Sequence, residues 1–390
     1  MHLSLNNAMT TEELILAGNT ARENNNPEES LKCYAQAFIQ DRYSASAFNN
    51  YGNVLREMGD PWGAIPFLQR AIQLAPTAAV ANFNLAVAYM LAGDMARGWP
   101  QYEHRWNFEH LAGTLPQFSQ PRWTGQDLKD KTILVCQEQG LGDTIQFSRF
   151  LWQLHVLGAK IILQTNNNLA PLFSHSNIID KIVDVNEVPT GFDYWVMIMS
   201  IPGILGMTYE NMDCPHSYLS AHPDLVADWA TRFGPKNRLR IGFCWSGRPD
   251  SWINRHKAMK FENICSLIQR NPSYDWVNLQ VECSQEHADH LKTLGVKMYP
   301  GGVRNFADTA AIMHHMDVVI TVDTAVGHLA GALGRPTWLA LNAYGTDWRY
   351  LLDRNDSPWY SSMRLFRQPA MGDWKSVTDK IHQYLSWFKV

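Results

Sequence analysis

An apolar run that passes through a short polar turn directly into a helical pattern occurs twice in this chain of 390 residues. The later junction starts from an apolar strand at residues 318–322 and continues into a helix that ends at Gly334-Arg-Pro336. The earlier junction starts from an apolar strand at residues 132–136 and reaches its helix at Asp143 through a glycine-bearing turn. Free backbone N–H groups and the positive end of a helix dipole gather at such turns, so each junction is a candidate anion or reaction site. The pair predicts two α/β domains that face one cleft.

Composition excludes several classes of partner. The formal net charge is −4, so there is no general basic field to attract a nucleic-acid backbone or an anionic membrane. The six cysteines are scattered without a C-x-x-C pair, which is typical of reduced, structural thiols in a cytoplasm. The chain has no leader-like start and no run of about 18 apolar residues, which predicts a soluble cytoplasmic protein without a membrane span.

The first third of the chain contains an internal repeat. The turn-forming pairs Asn25-Asn26, Gly59-Asp60 and Gly93-Asp94 lie 34 residues apart, which is the period of the tetratricopeptide helix pair. Small residues keep the same spacing where the helices would approach closely, at Gly18, Gly52 and Ala86. About three such pairs are the minimum for a stable stack, and the third ends in aromatic residues suited to cap it. We therefore predict an all-helical tetratricopeptide domain over residues 1–115.

Apolar strand-like runs alternate with helical patterns in the rest of the chain. Predicted strands fall at 132–136, 160–165, 182–185, 194–199, 240–245, 276–281, 296–299, 318–322 and 337–341. Predicted helices fall at 143–157, 169–175, 261–270, 287–294 and 308–316. Alternation of this kind indicates parallel sheets with right-handed crossovers. The predicted fold class is α/β, with two Rossmann-like domains over residues 116–235 and 236–390. Ligands bind at the carboxyl ends of the strands in such sheets, and both junctions lie there.

These motifs make the chain resemble tetratricopeptide-bearing glycosyltransferases of the GT-B fold. It is similar to glycosyltransferase family 9, the heptosyltransferase-like group, and more distantly to O-GlcNAc transferases. The residues that carry the resemblance are 139–149, 323–336 and the tail segments 347–360 and 364–369. The resemblance implies an inverting transfer of a sugar from a nucleotide diphosphate sugar, without a cofactor and without a metal bound by an Asp-x-Asp motif. The sequence contains no Asp-x-Asp.

Asp143 is the predicted catalytic base. Inverting transfer needs a group that takes the proton from the acceptor hydroxyl, and the resemblance places the proposed base at this aspartate. The alternative is that Asp143 only caps the helix that it begins, as Asp often does. Gly142 and Gln139, in the turn before it, are predicted to contact the donor or the acceptor.

The second junction is the predicted donor site. About two negative charges accumulate on the departing diphosphate, and Thr324, Ala325 and Gly327 at the helix start could supply N–H donors to stabilise them. Gly327 would let backbone approach closely, and Thr324 adds a hydroxyl. Asp323 is predicted to accept hydrogen bonds from hydroxyls of the donor sugar or ribose. His328, on the first turn of the helix, could bond a phosphate or ribose oxygen as a neutral imidazole.

A loop that follows the strand at 240–245 is predicted to supply positive charge. Ser246 begins this loop, and the resemblance implies a basic residue in it that meets the donor phosphates. Lys257 and Arg255 compete for this role. His314 and His315 are also adjacent basic residues, but neighbouring helix positions point to different faces, so packing explains them better than a metal site.

Two rival functions stay open at this point. Tetratricopeptide grooves hold extended peptides, so the chain could be a catalytically inactive scaffold that binds peptides or proteins. The same groove would suit an enzyme that transfers sugar to a protein, with a glycan as the other acceptor class. A dinucleotide-dependent oxidoreductase is disfavoured because the turn at Gly140-Leu-Gly142 lacks the third glycine of G-x-G-x-x-G.

Overall fold

The computed structural model describes residues 9–108, 114–212, 215–247, 254–298 and 302–388. The chain divides into two compact units. The repeat unit contains the described residues up to Gln117 together with Met207–Glu210 and Tyr344–Leu352. The α/β unit contains Phe118–Gly206, Asn211–Ala343 and the residues from Asp353 onward.

The repeat unit is built from helices that pack in successive antiparallel pairs. Their bounds are α1 Thr11–Glu23, α2 Pro27–Gln40, α3 Ala45–Glu57, α4 Pro61–Leu74, α5 Ala79–Leu91 and α6 Met95–Tyr102. The turn within each pair has the same backbone conformation at one position, because Asn25, Gly59 and Gly93 all have a positive φ. The next residue then caps the second helix with its side-chain oxygen, in each case at Asn26, Asp60 and Asp94. The 34-residue repeat predicted from the sequence is confirmed.

Glycines let the two helices of a pair approach closely. A Cβ atom on Gly18 would lie 2.4 Å from the ring of Tyr34, and one on Gly52 would lie 2.8 Å from Leu68 Cγ. Both distances are far below van der Waals contact, so larger residues at these positions would push the helices apart.

Two segments from far along the chain complete the repeat unit. The indole of Trp99 donates to the carbonyl of Met207 at 2.8 Å and meets the ring of Trp348 edge-on at 5.7 Å between centroids. The hydroxyl of Tyr344 donates to the Glu57 carboxylate at 2.6 Å, and Arg22 forms an ion pair with the same carboxylate. The predicted aromatic cap at Trp99 is therefore covered by residues that the repeat pattern does not contain.

The first sheet of the α/β unit is parallel, with strand order β3-β2-β1-β4. Its strands are β1 Thr132–Cys136, β2 Lys160–Thr165, β3 Lys181–Asp184 and β4 Tyr194–Met197. The helices of this part are α7 Leu141–Phe147, α8 Leu151–Val156, α9 Ala170–Phe173, α10 Ile201–Ile204 and α11 Pro223–Phe233. The order of the strands reverses between β1 and β4, which puts a topological switch point beside the turn that follows β1.

The second sheet is also parallel, with strand order β6-β5-β7-β8-β9. Its strands are β5 Arg240–Cys244, β6 Asp275–Asn278, β7 Val318–Val322, β8 Thr337–Leu341 and β9 Met363–Arg367. Its helices are α12 Asn254–Lys257, α13 Phe261–Arg270, α14 Gln285–Thr293, α15 Phe306–His314, α16 Ala325–Ala332 and α17 Trp374–Trp387. Strand order reverses between β5 and β7, whose side chains are buried along their full lengths.

Several predicted elements need correction. The helix predicted over 143–157 begins at Leu141 and is interrupted by a tighter 3₁₀ turn at Ser148–Phe150. The strand predicted over 296–299 is reduced to a single bridge between Lys297 and Val277, and Tyr299 lies outside the described residues. Strand β9 was not predicted. The α/β class and the helical repeat region are confirmed, while the domain boundaries at 115 and 235 stay predictions.

No helix in the described part of the chain combines the length and the apolar character that crossing a bilayer requires.

Candidate functional site

The starts of helices α7 and α16, one from each sheet, lie against each other. A Cβ atom on Gly142 would lie 2.9 Å from Cδ2 of His328 and 3.2 Å from the Cα of Ala325. Such a contact favours glycine at 142, because a side chain there would press on the imidazole and on the backbone of α16. The structure thus brings together the two junctions that the sequence singled out.

Asp143 is the third residue of α7 and is half-buried. Its Oδ2 atom accepts a hydrogen bond from the backbone N–H of Gly140 at 2.9 Å, so the carboxylate caps the helix start. The capping alternative raised by the sequence is therefore real. Capping is compatible with a catalytic role, since a carboxylate has about four acceptor positions.

The turn before α7 is held in a conformation that few residues adopt. Gln139 is exposed and has a φ of 55°, in the left-handed region that disfavours residues other than glycine. Neighbouring side chains hold the turn on both flanks. Gln137 Oε1 accepts from the hydroxyl of Thr165 at 2.6 Å, and Glu138 Oε1 accepts from the N–H of Met199 at 2.9 Å. Strained backbone of this kind is concentrated at functional sites.

The start of α16 offers backbone donors but not all of those predicted. Thr324 is the N-cap residue and uses its hydroxyl on Thr321, 3.2 Å away, rather than on its own helix. Ala325 and the residue after it form the first turn, where N–H groups have no acceptor within the helix. The N–H of Gly327 donates to the Thr324 carbonyl at 3.0 Å, and a Cβ atom on Gly327 would lie 3.1 Å from Cδ1 of Leu339. Gly327 therefore brings the helix close to the sheet, and its N–H is already in use.

A chain of polar contacts runs from Lys257 through the second junction. The Lys257 ammonium forms an ion pair with Asp323, whose side chain is only 6% exposed. The other carboxylate oxygen of Asp323 lies 3.9 Å from Nε2 of His328, and Nδ1 of His328 lies 2.9 Å from the hydroxyl of Tyr360. His328 is buried, with Nδ1 at hydrogen-bond distance from Tyr360 and Nε2 on the side of Asp323. Its contact with a phosphate or ribose oxygen stays a prediction.

Ser246 follows β5 at the same edge of the sheet. Its N–H donates to the side-chain carbonyl of Gln280 at 3.1 Å, and its hydroxyl donates to the carbonyl of Gly247. The thiol of Cys244 also donates to Gln280, and burial raises its pKa to about 11, so this cysteine stays a neutral thiol. Arg255 lies on α12, and its side chain is outside the described residues.

Three residues of the site were missed from the sequence. They are Tyr360, which bonds His328; Gln280, which fixes the start of the Ser246 loop; and Arg149. The buried guanidinium of Arg149 lies between the rings of Tyr218, Trp359 and Tyr360, at 4.7, 5.3 and 4.9 Å from their centroids. Arg149 ends the earlier junction motif, and two of the rings belong to the tail motif. The contact joins segments far apart in the sequence, so neither motif alone indicates it.

A family sequence model matches the part of the chain that contains the second junction. Residues 275–346 match the sequence model described as glycosyltransferase family 9 (heptosyltransferase), and this range contains Asp323 and His328 but not Asp143 or Lys257. Protein FlbA of Caulobacter vibrioides is 27% identical over 429 residues, which cover 92% of this chain and 70% of FlbA.

Two of the similar solved structures each cover part of this chain. The E. coli ADP-heptose LPS heptosyltransferase II matches with a TM-score of 0.48 and 13% identity, covering 66% of this chain and 98% of that one. The second TPR of Spaghetti (RPAP3), bound to an HSP90 peptide, matches with a TM-score of 0.24 and 17% identity, covering 25% of this chain and 89% of that one. The match to the family sequence model confirms the resemblance to glycosyltransferase family 9 and, with it, the assignment of the chain as a glycosyltransferase.

Proposed function

We propose that this glycosyltransferase moves a sugar from a nucleotide diphosphate donor to an acceptor hydroxyl with inversion at the anomeric carbon. Asp143 takes the proton from the acceptor hydroxyl, and the acceptor oxygen forms a bond to the anomeric carbon. The bond from that carbon to the diphosphate breaks at the same time, and the nucleotide diphosphate leaves with the electron pair.

One observation supports this proposal above the others. The helix start that carries Asp143 packs directly against the helix start of α16, with Gly142 in contact with Ala325 and His328. A base and an anion-binding helix terminus are thereby neighbours, as inverting transfer requires, because the two must act on opposite sides of one sugar.

The charge on the departing diphosphate is balanced by groups of the second sheet. The first-turn N–H groups of α16 supply donors, and the ammonium of Lys257 supplies positive charge. An ammonium has three N–H donors, so pairing with Asp323 is compatible with a phosphate contact. Asp323, held between Lys257 and His328, is then placed to accept from a hydroxyl of the sugar or ribose. We propose that these groups do the work without a metal bound to the protein.

The repeat unit is the proposed acceptor platform, and the acceptor is proposed to be a protein segment. A line of amides crosses the first helices of the three pairs: Asn50 donates to Asn19, Asn49 donates to Asn50, and Asn84 donates to Asn49, at 3.0–3.2 Å. Side-chain amides both donate and accept, as a peptide backbone does, so such a line is suited to an extended chain of any sequence.

A binding and turnover experiment tests the proposal. The protein is screened by thermal unfolding against UDP, GDP, ADP, CMP and TDP, and then for sugar release from the matching nucleotide sugars, including a heptose donor because the family is described as heptosyltransferase. A nucleotide at about 100 times its Kd should stabilise the folded state by about 2.7 kcal/mol. Absence of stabilisation by every nucleotide would refute the transferase. Nucleotide binding without transfer to any hydroxyl would favour the inactive scaffold.

A further inference from the structure

A group of charged residues lies at the amino ends of the strands of the second sheet, opposite the carboxyl ends that carry the proposed transfer site. The residues involved belong to the amino ends of three adjacent strands: Arg240 begins β5, Asp317 precedes β7, and Arg335 precedes β8. Strands β5 and β7 are five residues long, so this edge is about 15 Å from the edge that carries Ser246 and Asp323. It is not part of the proposed transfer site.

These residues line a cavity of about 350 Å³. This volume is at the lower end of the range found for small-molecule sites and exceeds what a lone phosphate ion fills. Its lining comes from the end of α11, the end of α15 and the strand starts: Ala230, Gly234, Lys236, Arg240, His314, His315, Met316, Asp317 and Arg335.

Positive charge dominates the lining. Lys236, Arg240 and Arg335 are cationic, while Asp317 is the one carboxylate among the lining residues. Asp317 is already engaged, since Lys236 donates to one of its oxygens at 2.6 Å and the backbone N–H of Arg240 donates to the other at 2.7 Å. Neither guanidinium has a carboxylate partner among the described residues.

Both arginines have donors left over after binding the backbone. Arg240 is only 2% exposed and gives one nitrogen to the carbonyls of Gly234 and Pro235, at 2.8 and 3.3 Å. Arg335 gives one nitrogen to the carbonyl of Met316. The Nε–H groups of both arginines are buried and have no acceptor in the described part of the chain. A buried donor without an acceptor costs about 1–3 kcal/mol, which a bound anion would offset.

The pKa values of the two histidines in the lining reflect the same positive charge. Burial lowers the pKa of His315, and the charges of Arg240, Arg335 and Lys236 lower it further, although its bond to the Val226 carbonyl acts in the other direction. The pKa of His314 is lowered by burial and by Arg335 and His315. Cations that repel further positive charge will attract an anion for the same reason.

We propose that this cavity binds the phosphate group of a small phosphorylated molecule at a site separate from that of sugar transfer. The guanidinium groups of Arg335 and Arg240 and the Lys236 ammonium hold the phosphate oxygens, because guanidinium geometry matches phosphate and the lining has excess positive charge. The remaining volume accommodates the part of the molecule that carries the phosphate.

The test measures stabilisation of the whole chain by inorganic phosphate and by a phosphate monoester, glucose 6-phosphate, with ionic strength held constant by chloride. Both probes should raise the midpoint of thermal unfolding, and a larger effect of the monoester would identify a phosphorylated metabolite as the ligand. Replacing Arg335 by Met should raise the apparent Kd for phosphate by about tenfold or more, which corresponds to about 1.4 kcal/mol.

Three further variants keep the result interpretable. Lys236→Met removes an exposed charge of the lining and covers the case in which Arg335→Met does not fold; it should also weaken phosphate binding. Arg238→Met removes an exposed arginine that lies outside the lining and contacts the Pro272 carbonyl, so it should bind phosphate like the wild type. Lys257→Ala should retain phosphate stabilisation, which separates this site from the transfer site. Equal losses in Lys236→Met and Arg238→Met, loss in Lys257→Ala, or no effect of phosphate on the wild type would each overturn the proposal.

Discussion

The Cα of Gly142 lies so close to the imidazole of His328 that a methyl group at residue 142 would meet the ring at 2.9 Å. We expect Gly142→Ala to separate the starts of α7 and α16, because the same methyl would also lie 3.2 Å from the Cα of Ala325. Overpacking of this kind destabilises by about 1–3 kcal/mol. Transfer should fall by more than the loss of folded protein explains. The measurement is turnover per folded molecule, with the folded fraction obtained from chemical denaturation.

Gly98→Ala is the matched control for this variant. A Cβ atom on Gly98 would lie 2.6 Å from Cγ of Met90, so it overpacks the repeat unit to a similar degree. Stability should fall and turnover per folded molecule should stay at the wild-type level. If Gly98→Ala and Gly142→Ala reduce turnover per folded molecule equally, the contact at Gly142 has no special bearing on transfer.

Asp143→Asn should abolish transfer and leave nucleotide affinity and stability nearly unchanged. The amide oxygen of Asn can still accept from the N–H of Gly140, so the start of α7 is preserved while the base is removed. Loss of a general base lowers kcat by about 10²–10⁴-fold. Steady-state kinetics, nucleotide titration and thermal unfolding of the same preparation separate these effects. A parallel loss of nucleotide affinity and kcat would show that Asp143 acts through position alone.

Lys257→Ala should weaken nucleotide binding and also destabilise the fold. The second effect arises because Asp323, 6% exposed, would lose its ion-pair partner, and breaking such a pair costs about 3–5 kcal/mol. Nucleotide Kd values from calorimetry and unfolding free energies from denaturant titration measure the two effects. Unchanged affinity in Lys257→Ala, together with weaker binding in Arg255→Ala, would transfer the phosphate contact to Arg255.

The double variant Lys257→Ala, Asp323→Asn separates charge balance from ligand contact. Neutralising Asp323 removes the buried carboxylate that lost its ion pair with Lys257, so stability should recover toward that of the wild type. Nucleotide affinity should stay low if Lys257 touches the diphosphate. Recovery of affinity together with stability would mean that Lys257 serves only to hold Asp323.

Glu57→Gln should destabilise the repeat unit by about 1.5–3 kcal/mol, because Arg22 and Arg56 would lose the charged partner that they share. Denaturant unfolding followed at the repeat tryptophans measures this loss. The comparison variant is Glu29→Gln, since Glu29 pairs with Lys32 on the exposed face of α2 and such pairs contribute little. A stability change no larger than that of Glu29→Gln would contradict the importance of the Glu57 network.

Comparison of the wild type with Glu57→Gln also predicts how stability depends on pH. Burial alone would raise the pKa of Glu57, but the hydrogen bond from Arg22 and the charges of Arg56 and Arg22 outweigh it and hold the pKa below its ordinary value of 4.5. A carboxyl whose pKa is lower in the folded state stabilises above its unfolded pKa and loses that contribution as the pH falls through its folded pKa. The difference in unfolding free energy between the wild type and Glu57→Gln should therefore be largest at neutral pH and should shrink as the pH falls below 4.5.

Sequence periodicity predicted the buried elements well and the irregular ones poorly. Strands β7 and β8 and helix α13 have the predicted bounds, since continuous apolar runs and strong helical periodicity leave no other solution. Strand β9 was missed because it is an edge strand whose apolar residues are interrupted by an exposed arginine at its second position, Arg364. The candidate site divides in the same way. Asp143, Asp323 and Thr324 are readable from local turn chemistry, but the bond between His328 and Tyr360 spans 32 residues and has no local signal.

The segment Tyr344–Leu352 has a consequence for the order of events during synthesis. It follows β8 directly, yet it completes the repeat unit by bonding Glu57, 287 residues earlier, and by covering Trp99. The helical pairs leave the ribosome first and can form early through their local contacts. The segment that covers them is synthesised only when the second sheet is almost fully translated. Until then, Trp99 and the carboxylate of Glu57 stay uncovered in the nascent repeats.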